Sequence, residues 1–113
     1  SNMAIVKSIP SKRIINGYAI NTSELSVVSE LDYRTNGEFC IIVRGIPQSF
    51  IVLDSKTTDH VVVKAMTMVT VRPDVGKIDE EWDEIALDRF ACVEFQYVGG
   101  SWYILSSDGL KQS

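Results

Sequence analysis

The chain has 113 residues, a formal charge of −4 and a single histidine. That length suits one domain, and 45% apolar with 23% charged residues is a composition that buries a core, which excludes a disordered tail. The acidic balance argues against a duplex-binding protein, which needs a basic surface, and no run reaches the ~18 apolar residues of a membrane span.

Ser1-Asn2 before Met3 reads as the remnant of a removed tag, leaving residues 3–113 as one β domain with 3–23 as an N-terminal arm. The stretch AIVKSIPSKRIINGYAI has neither the apolar centre nor the small-residue cleavage site of a secretory leader. Synthesis in the cytosol and a soluble product are expected. Residues 4–9 are a short β-prone run stopped by Pro10. Residues 12–20 are rich in β-branched side chains and broken by Asn16-Gly17, a turn dipeptide. Residues 24–31 make a weak strand, and Asn36-Gly37 then punctuates the chain. EFCIIVR, residues 38–44, is a strong strand, broken from the next, residues 48–54, by Gly45-Ile46-Pro47. A polar loop at 55–59 precedes the longest expected strand, residues 60–72. There Val61, Val63, Ala65, Thr67, Val69 and Val71 share one parity, and Met66 and Met68 fall on the other as adaptable fillers of a covered face. Residues 78–89 offer a helical spacing of Ile78, Trp82 and Ile85. They also offer an acidic loop leading into a strand, which the β-rich surroundings favour.

The last third, FACVEFQYVGGSWYILSSDGL, reads as a hairpin about Gly99-Gly100. Two glycines supply the positive φ angles of a type I′ turn. Placing Val98 opposite Ser101 sets Tyr97 against Trp102, Phe95 against Ile104 and Val93 against Ser106. Large apolar groups then meet on one face, while Glu94, Gln96, Tyr103 and Leu105 turn away. Strands at roughly ten-residue spacing predict an all-β fold: an antiparallel sandwich or barrel-like domain of about eight strands, with at most one short helix.

Candidate sites are few. Asp79, Glu80, Glu81, Asp83 and Glu84 fall within six residues. Carboxylates suit calcium, yet the ordered spacing of a calcium loop is missing, so a solvated face is the plainer reading. Lys12 and Arg13 lie in an arm without acids and are electrostatic partners for that acidic stretch across an oligomer. Trp82 and Tyr103 are the aromatic residues best placed for an exposed contact, glycan stacking included, with Met66 and Met68 beside them as contact surface. His60 cannot build a histidine zinc site alone. Cys40 and Cys92 are too few for a disulfide framework and are expected as unbridged, mostly buried thiols. No catalytic group, cofactor or metal site is predicted.

The stretch from Val69 to Leu110 resembles the β-rich terminal modules of tailed-bacteriophage tail fibres and tailspikes. The polar turn in VRPDVGKID, the alternating strand IALDRFACVEFQYV and the closing strand GGSWYILSS carry the resemblance. The acidic cluster departs from it. The resemblance implies a non-enzymatic structural or assembly protein of a phage particle, made in the host cytoplasm and residing in the virion. Its partners would be copies of itself, a trimer above all, and other virion proteins, with no membrane and no nucleic acid. The alternatives are a carbohydrate-binding β module and, less favoured by the charge, a single-stranded nucleic-acid-binding barrel.

Overall fold

The computed structural model describes residues 5–6, 12–15, 18–21, 25–29 and 31–110, with side chains described from residue 27 on, apart from 30 and 110. The strands in chain order are β1 (Ile5–Val6), β2 (Lys12–Ile15), β3 (Tyr18–Asn21), β4 (Leu25–Val28), β5 (Asp32–Arg34) and β6 (Cys40–Val43). They continue with β7 (Ser49–Leu53), β8 (His60–Ala65), β9 (Val69–Pro73), β10 (Ile85–Val98) and β11 (Ser101–Leu110). No helix occurs among the described residues. The expected all-β, sandwich- or barrel-like domain of about eight strands therefore holds. β2 and β3 pair with each other, apart from the main sheet, and the expected turn at Asn16-Gly17 lies outside the described residues.

The main sheet has nine strands in the order β1-β4-β6-β8-β10-β9-β7-β5, and β11 takes the second edge of β10. Consecutive strands from β4 to β9 do not pair. The chain lays one strand in a first wing (β4, β6, β8), crosses to a second wing (β5, β7, β9), and returns. Each turn of the chain is thus a rung. Rungs stack in parallel register: Cys40 sits opposite Val62 and Val43 opposite Ala65 in one wing, Ser49 opposite Val69 and Leu53 opposite Pro73 in the other. Antiparallel pairing, expected throughout, is confined to β1 with β4, β2 with β3, and the ladders of β10. The reason is local. Asn36-Gly37 makes a turn with Gly37 at φ 84°, but that turn joins β5 of one wing to β6 of the other instead of closing a hairpin.

β10 belongs to both wings. Its first residues pair with β9, Ile85 opposite Val71, and its later residues pair with β8, Val93 opposite Val63. Between them the strand bends at residues 88–91, where Phe90 has φ 76° and the register against β11 shifts. The loop-plus-strand reading of residues 78–89 is what forms, with the strand starting at Ile85. Two expectations are corrected. The long strand over residues 60–72 is split into β8 and β9, because Met66–Met68 turn the corner between wings without a glycine or proline to announce it. The terminal hairpin keeps its predicted register from Val98–Ser101 to Phe95–Ile104. It then slips by one at Leu105, so that Val93 faces Ser107 and not Ser106. Gly99 and Gly100, at φ 58° and 90°, make the turn as the dipeptide requires.

Alternation drives the packing. In β7 and β8 every second residue is buried and the residues between are half-buried. The inward residues of both wings form one core around Phe95 and Trp102, both fully buried. Such aromatic burial dominates the energetics of a small core. Tyr97 packs against Trp102 at 5.3 Å between ring centres, as the cross-strand pairing predicts.

Candidate functional site

The wings meet at two corners of opposite character. At the first, successive turns of the chain place Thr35, Asp54 and Asp74 one above another. The Thr35 hydroxyl accepts the Asp54 N–H at 2.8 Å, and the Asp74 carboxylate accepts the N–H and hydroxyl of Ser55 at 2.9 and 2.8 Å. Asp54 also accepts from the Arg34 guanidinium and the Lys56 N–H. The Trp102 indole donates to Asp74 at 3.3 Å, tying this corner to the core. Hydrogen bonds from Arg34 and then from the Lys56 N–H hold the Asp54 carboxyl below its usual value. Burial pushes Asp74 up, but the bonds from Ser55, Trp102 and the Val75 N–H outweigh it, and its pKa too is lowered.

The second corner carries apolar side chains outward. Leu31 precedes β5, Ile46 lies between β6 and β7, Met68 precedes β9, and Phe90 sits at the bend of β10. They are 53%, 39%, 48% and 53% exposed. Their strands are neighbours in the order β5-β7-β9-β10. The Phe50 N–H donates to the Leu31 carbonyl and the Gln48 N–H to the Met68 carbonyl, so adjacent corners are stitched together. With strands about 4.8 Å apart, the corners that carry them stack into a ridge about 15 Å long. Gln48 and Phe90 hold left-handed backbone there, at φ 62° and 76°. A bulky residue in that region is costly, and such strain gathers where a surface is used. Exposed Arg44 and Arg89 and half-buried Lys64 flank the ridge, with Asp32 and Asp88 also present. The Arg89 guanidinium lies 4.6 Å over the Phe90 ring, and Lys64 donates to the Phe90 carbonyl.

The predicted site residues distribute unevenly. Met68 stands on the ridge and Met66 is half-buried beside it; both lie in the corner and not on a sheet face. The acidic stretch forms a turn packed on β11 at the polar corner. Buried Ile78 exchanges backbone bonds with Trp82, and the Asp79 N–H donates to the Trp102 carbonyl. The Asp79 carboxylate accepts the Ile104 N–H at 2.9 Å, and Glu80 accepts the Tyr103 hydroxyl at 2.7 Å. Asp83 pairs with Lys77 and Glu84 with Arg72, while Glu81 is exposed. Asp79 and Glu80 both have positive φ. Among the described residues, no group of three or more histidine, cysteine or acidic side chains is placed to hold a metal ion. Trp82 is exposed, but Tyr103 is half-buried and tied to Glu80. The hydrogen bond to Glu80 raises the pKa of Tyr103. Lys12 and Arg13 fall in β2, and their side chains lie outside the described residues.

His60 meets an acid that the sequence did not assign to it. Its Nε2 is 2.6 Å from the Glu94 carboxylate on the outer face of the first wing, and Ser106 donates to the other oxygen of Glu94. The bond to His60 lowers the Glu94 pKa. Hydroxyl and imidazole thus share one carboxylate, which is the wrong order for activating a serine, where the hydroxyl must meet the imidazole. Cys92 is half-buried, and burial raises its thiol pKa, opposite to what a nucleophile needs. Neither Cys40 nor Cys92 is in a disulfide, and both are half-buried where fuller burial was expected.

Leu31, Ile46 and Phe90 were not singled out from the sequence. Ile46 had a readable signal, an isolated apolar residue between the breakers Gly45 and Pro47. Phe90 had none, since it continues an alternating strand. No protein-family model matches the chain, and no curated protein matches it.

Proposed function

We propose that the protein is a non-enzymatic structural module that works through protein contacts and associates with copies of itself. The apolar ridge of Leu31, Ile46, Met68 and Phe90 carries this reading. Exposed apolar side chains of this size, set on neighbouring hydrogen-bonded corners, are the makings of a contact surface. The placement of that surface in a bacteriophage particle rests on the sequence resemblance of residues 69–110, and so does the trimer as the favoured assembly. Light scattering behind size-exclusion chromatography tests the reading. A mass that grows with concentration in the parent protein, and drops to one chain in Ile46→Ser, is the expected result. A single-chain mass for the parent at every concentration refutes it.

A further inference from the structure

The ridge has a counterpart on the same molecule. At the polar corner, one rung-strand length away, Val75, Trp82 and Val98 are exposed at 45%, 38% and 56%. Gly76 brings two of them together: a Cβ there would lie 2.8 Å from the Gly100 carbonyl, so the turn after β9 packs directly on the hairpin turn that comes after Val98, while the turn that holds Trp82 is bonded to β11 just past that hairpin turn through Lys77, Asp79 and Trp102. The acidic turn that contains Trp82 leaves Glu81 exposed beside Glu80 and Asp83. One corner is therefore apolar with Arg44, Lys64 and Arg89, and the other is apolar with a run of carboxylates. Asp32 and Asp88 temper the first, and Arg34, Lys56, Arg72 and Lys77 the second, where Asp54, Asp74 and the five acids of the turn still outnumber them, so the signs differ. Like surfaces would set acid against acid or base against base. Unlike surfaces join apolar to apolar and place Arg44 and Arg89 near Glu81 and Asp83.

The geometry points to a head-to-tail interface between copies of this chain: the ridge of one copy seats on the Val75, Trp82 and Val98 patch of the next. The inference rests on the self-association proposed above and specifies its surfaces. Such a heterologous contact leaves one free ridge and one free patch on every pair. It closes into a ring if the rotation allows and otherwise extends as a filament.

Complementation between two defective variants tests it on the full chain. Ile46→Glu with Phe90→Glu spoils only the ridge; Glu81→Arg with Val98→Arg spoils only the patch. Each double variant should weaken association by about tenfold or more, the scale of losing a central contact. Circular dichroism confirms that both remain folded, and Arg44→Glu serves as a milder ridge variant. Mixed in equal amounts, the two doubles should form a pair that goes no further, because each retains the surface the other has lost. Sedimentation velocity reads the result. If the mixture stays monomeric, or the patch variant associates as well as the parent, the head-to-tail arrangement is wrong while self-association stands. If the parent itself stays monomeric, the proposed function fails as well.

Discussion

The two corners solve the same problem, turning the chain between wings, by opposite chemistry. At one, Thr35, Asp54 and Asp74 point their polar groups at the neighbouring rung, where each finds a donor: the Asp54 N–H, Arg34 and Ser55 in turn. At the other, Leu31, Ile46, Met68 and Phe90 are exposed, and backbone bonds, with one from the Lys64 side chain to the Phe90 carbonyl, join the neighbours. A buried polar group left without its partner costs about 1–3 kcal/mol, whereas an exposed apolar side chain costs the fold little. The first corner therefore holds the fold, and the second is available for contact.

The largest effect that would sharpen this contrast is Trp102→Ala. It empties the core and removes the indole that donates to Asp74, and should cost about 3–5 kcal/mol in urea unfolding. Asp74→Ala comes next. Ser55 and Trp102 lose their acceptor, and the expected cost is about 1–3 kcal/mol. A loss no greater than that of a ridge substitution would break the comparison. Acid supplies a third test. The folded pKa values of Asp54 and Asp74 lie below those of the unfolded chain. The stability these groups contribute is therefore present above the unfolded carboxylate value, about 4, and is lost as pH falls through the lower folded values. Urea midpoints measured between pH 6 and pH 3 should decline only at the acid end, and less in Asp74→Ala. The smallest effect belongs to the ridge. Phe90→Gly relieves the left-handed strain and gives up an exposed contact with Arg89, so stability should move by no more than about 1 kcal/mol. Association should weaken all the same. A large loss of stability there would mean that Phe90 holds the fold after all.

Much of this molecule was legible from alternation and glycine. The Gly99-Gly100 hairpin, the inward set of Val93, Phe95 and Trp102, and the acidic loop running into a strand at Ile85 all come from residue types within a few positions. The parallel stacking of rungs was not legible. Its ladders join residues about twenty apart, and each half-buried strand shows the same period of two whether its neighbour runs parallel or antiparallel. The corner at Met66–Met68 was hidden for a related reason, since it keeps the parity of the strands on both sides. The His60–Glu94 pair depends on β8 meeting β10, a long-range register that spacing cannot reveal. The strain at Phe90 has no sequence signature, because phenylalanine seldom adopts that backbone.

The strand shared by both wings is made only after all the rungs it joins. During synthesis, the three rungs emerge from the ribosome with β8 and β9 each offering an unpaired edge. A nascent chain that stops short of Ile85 carries both edges bare, and bare edges invite pairing with other chains. The arrival of β10 closes the two at once, in one stretch of 14 residues that brings its own partner behind a two-glycine turn. The protein's passage from an aggregation-prone chain to a safe one is thus concentrated in its final third.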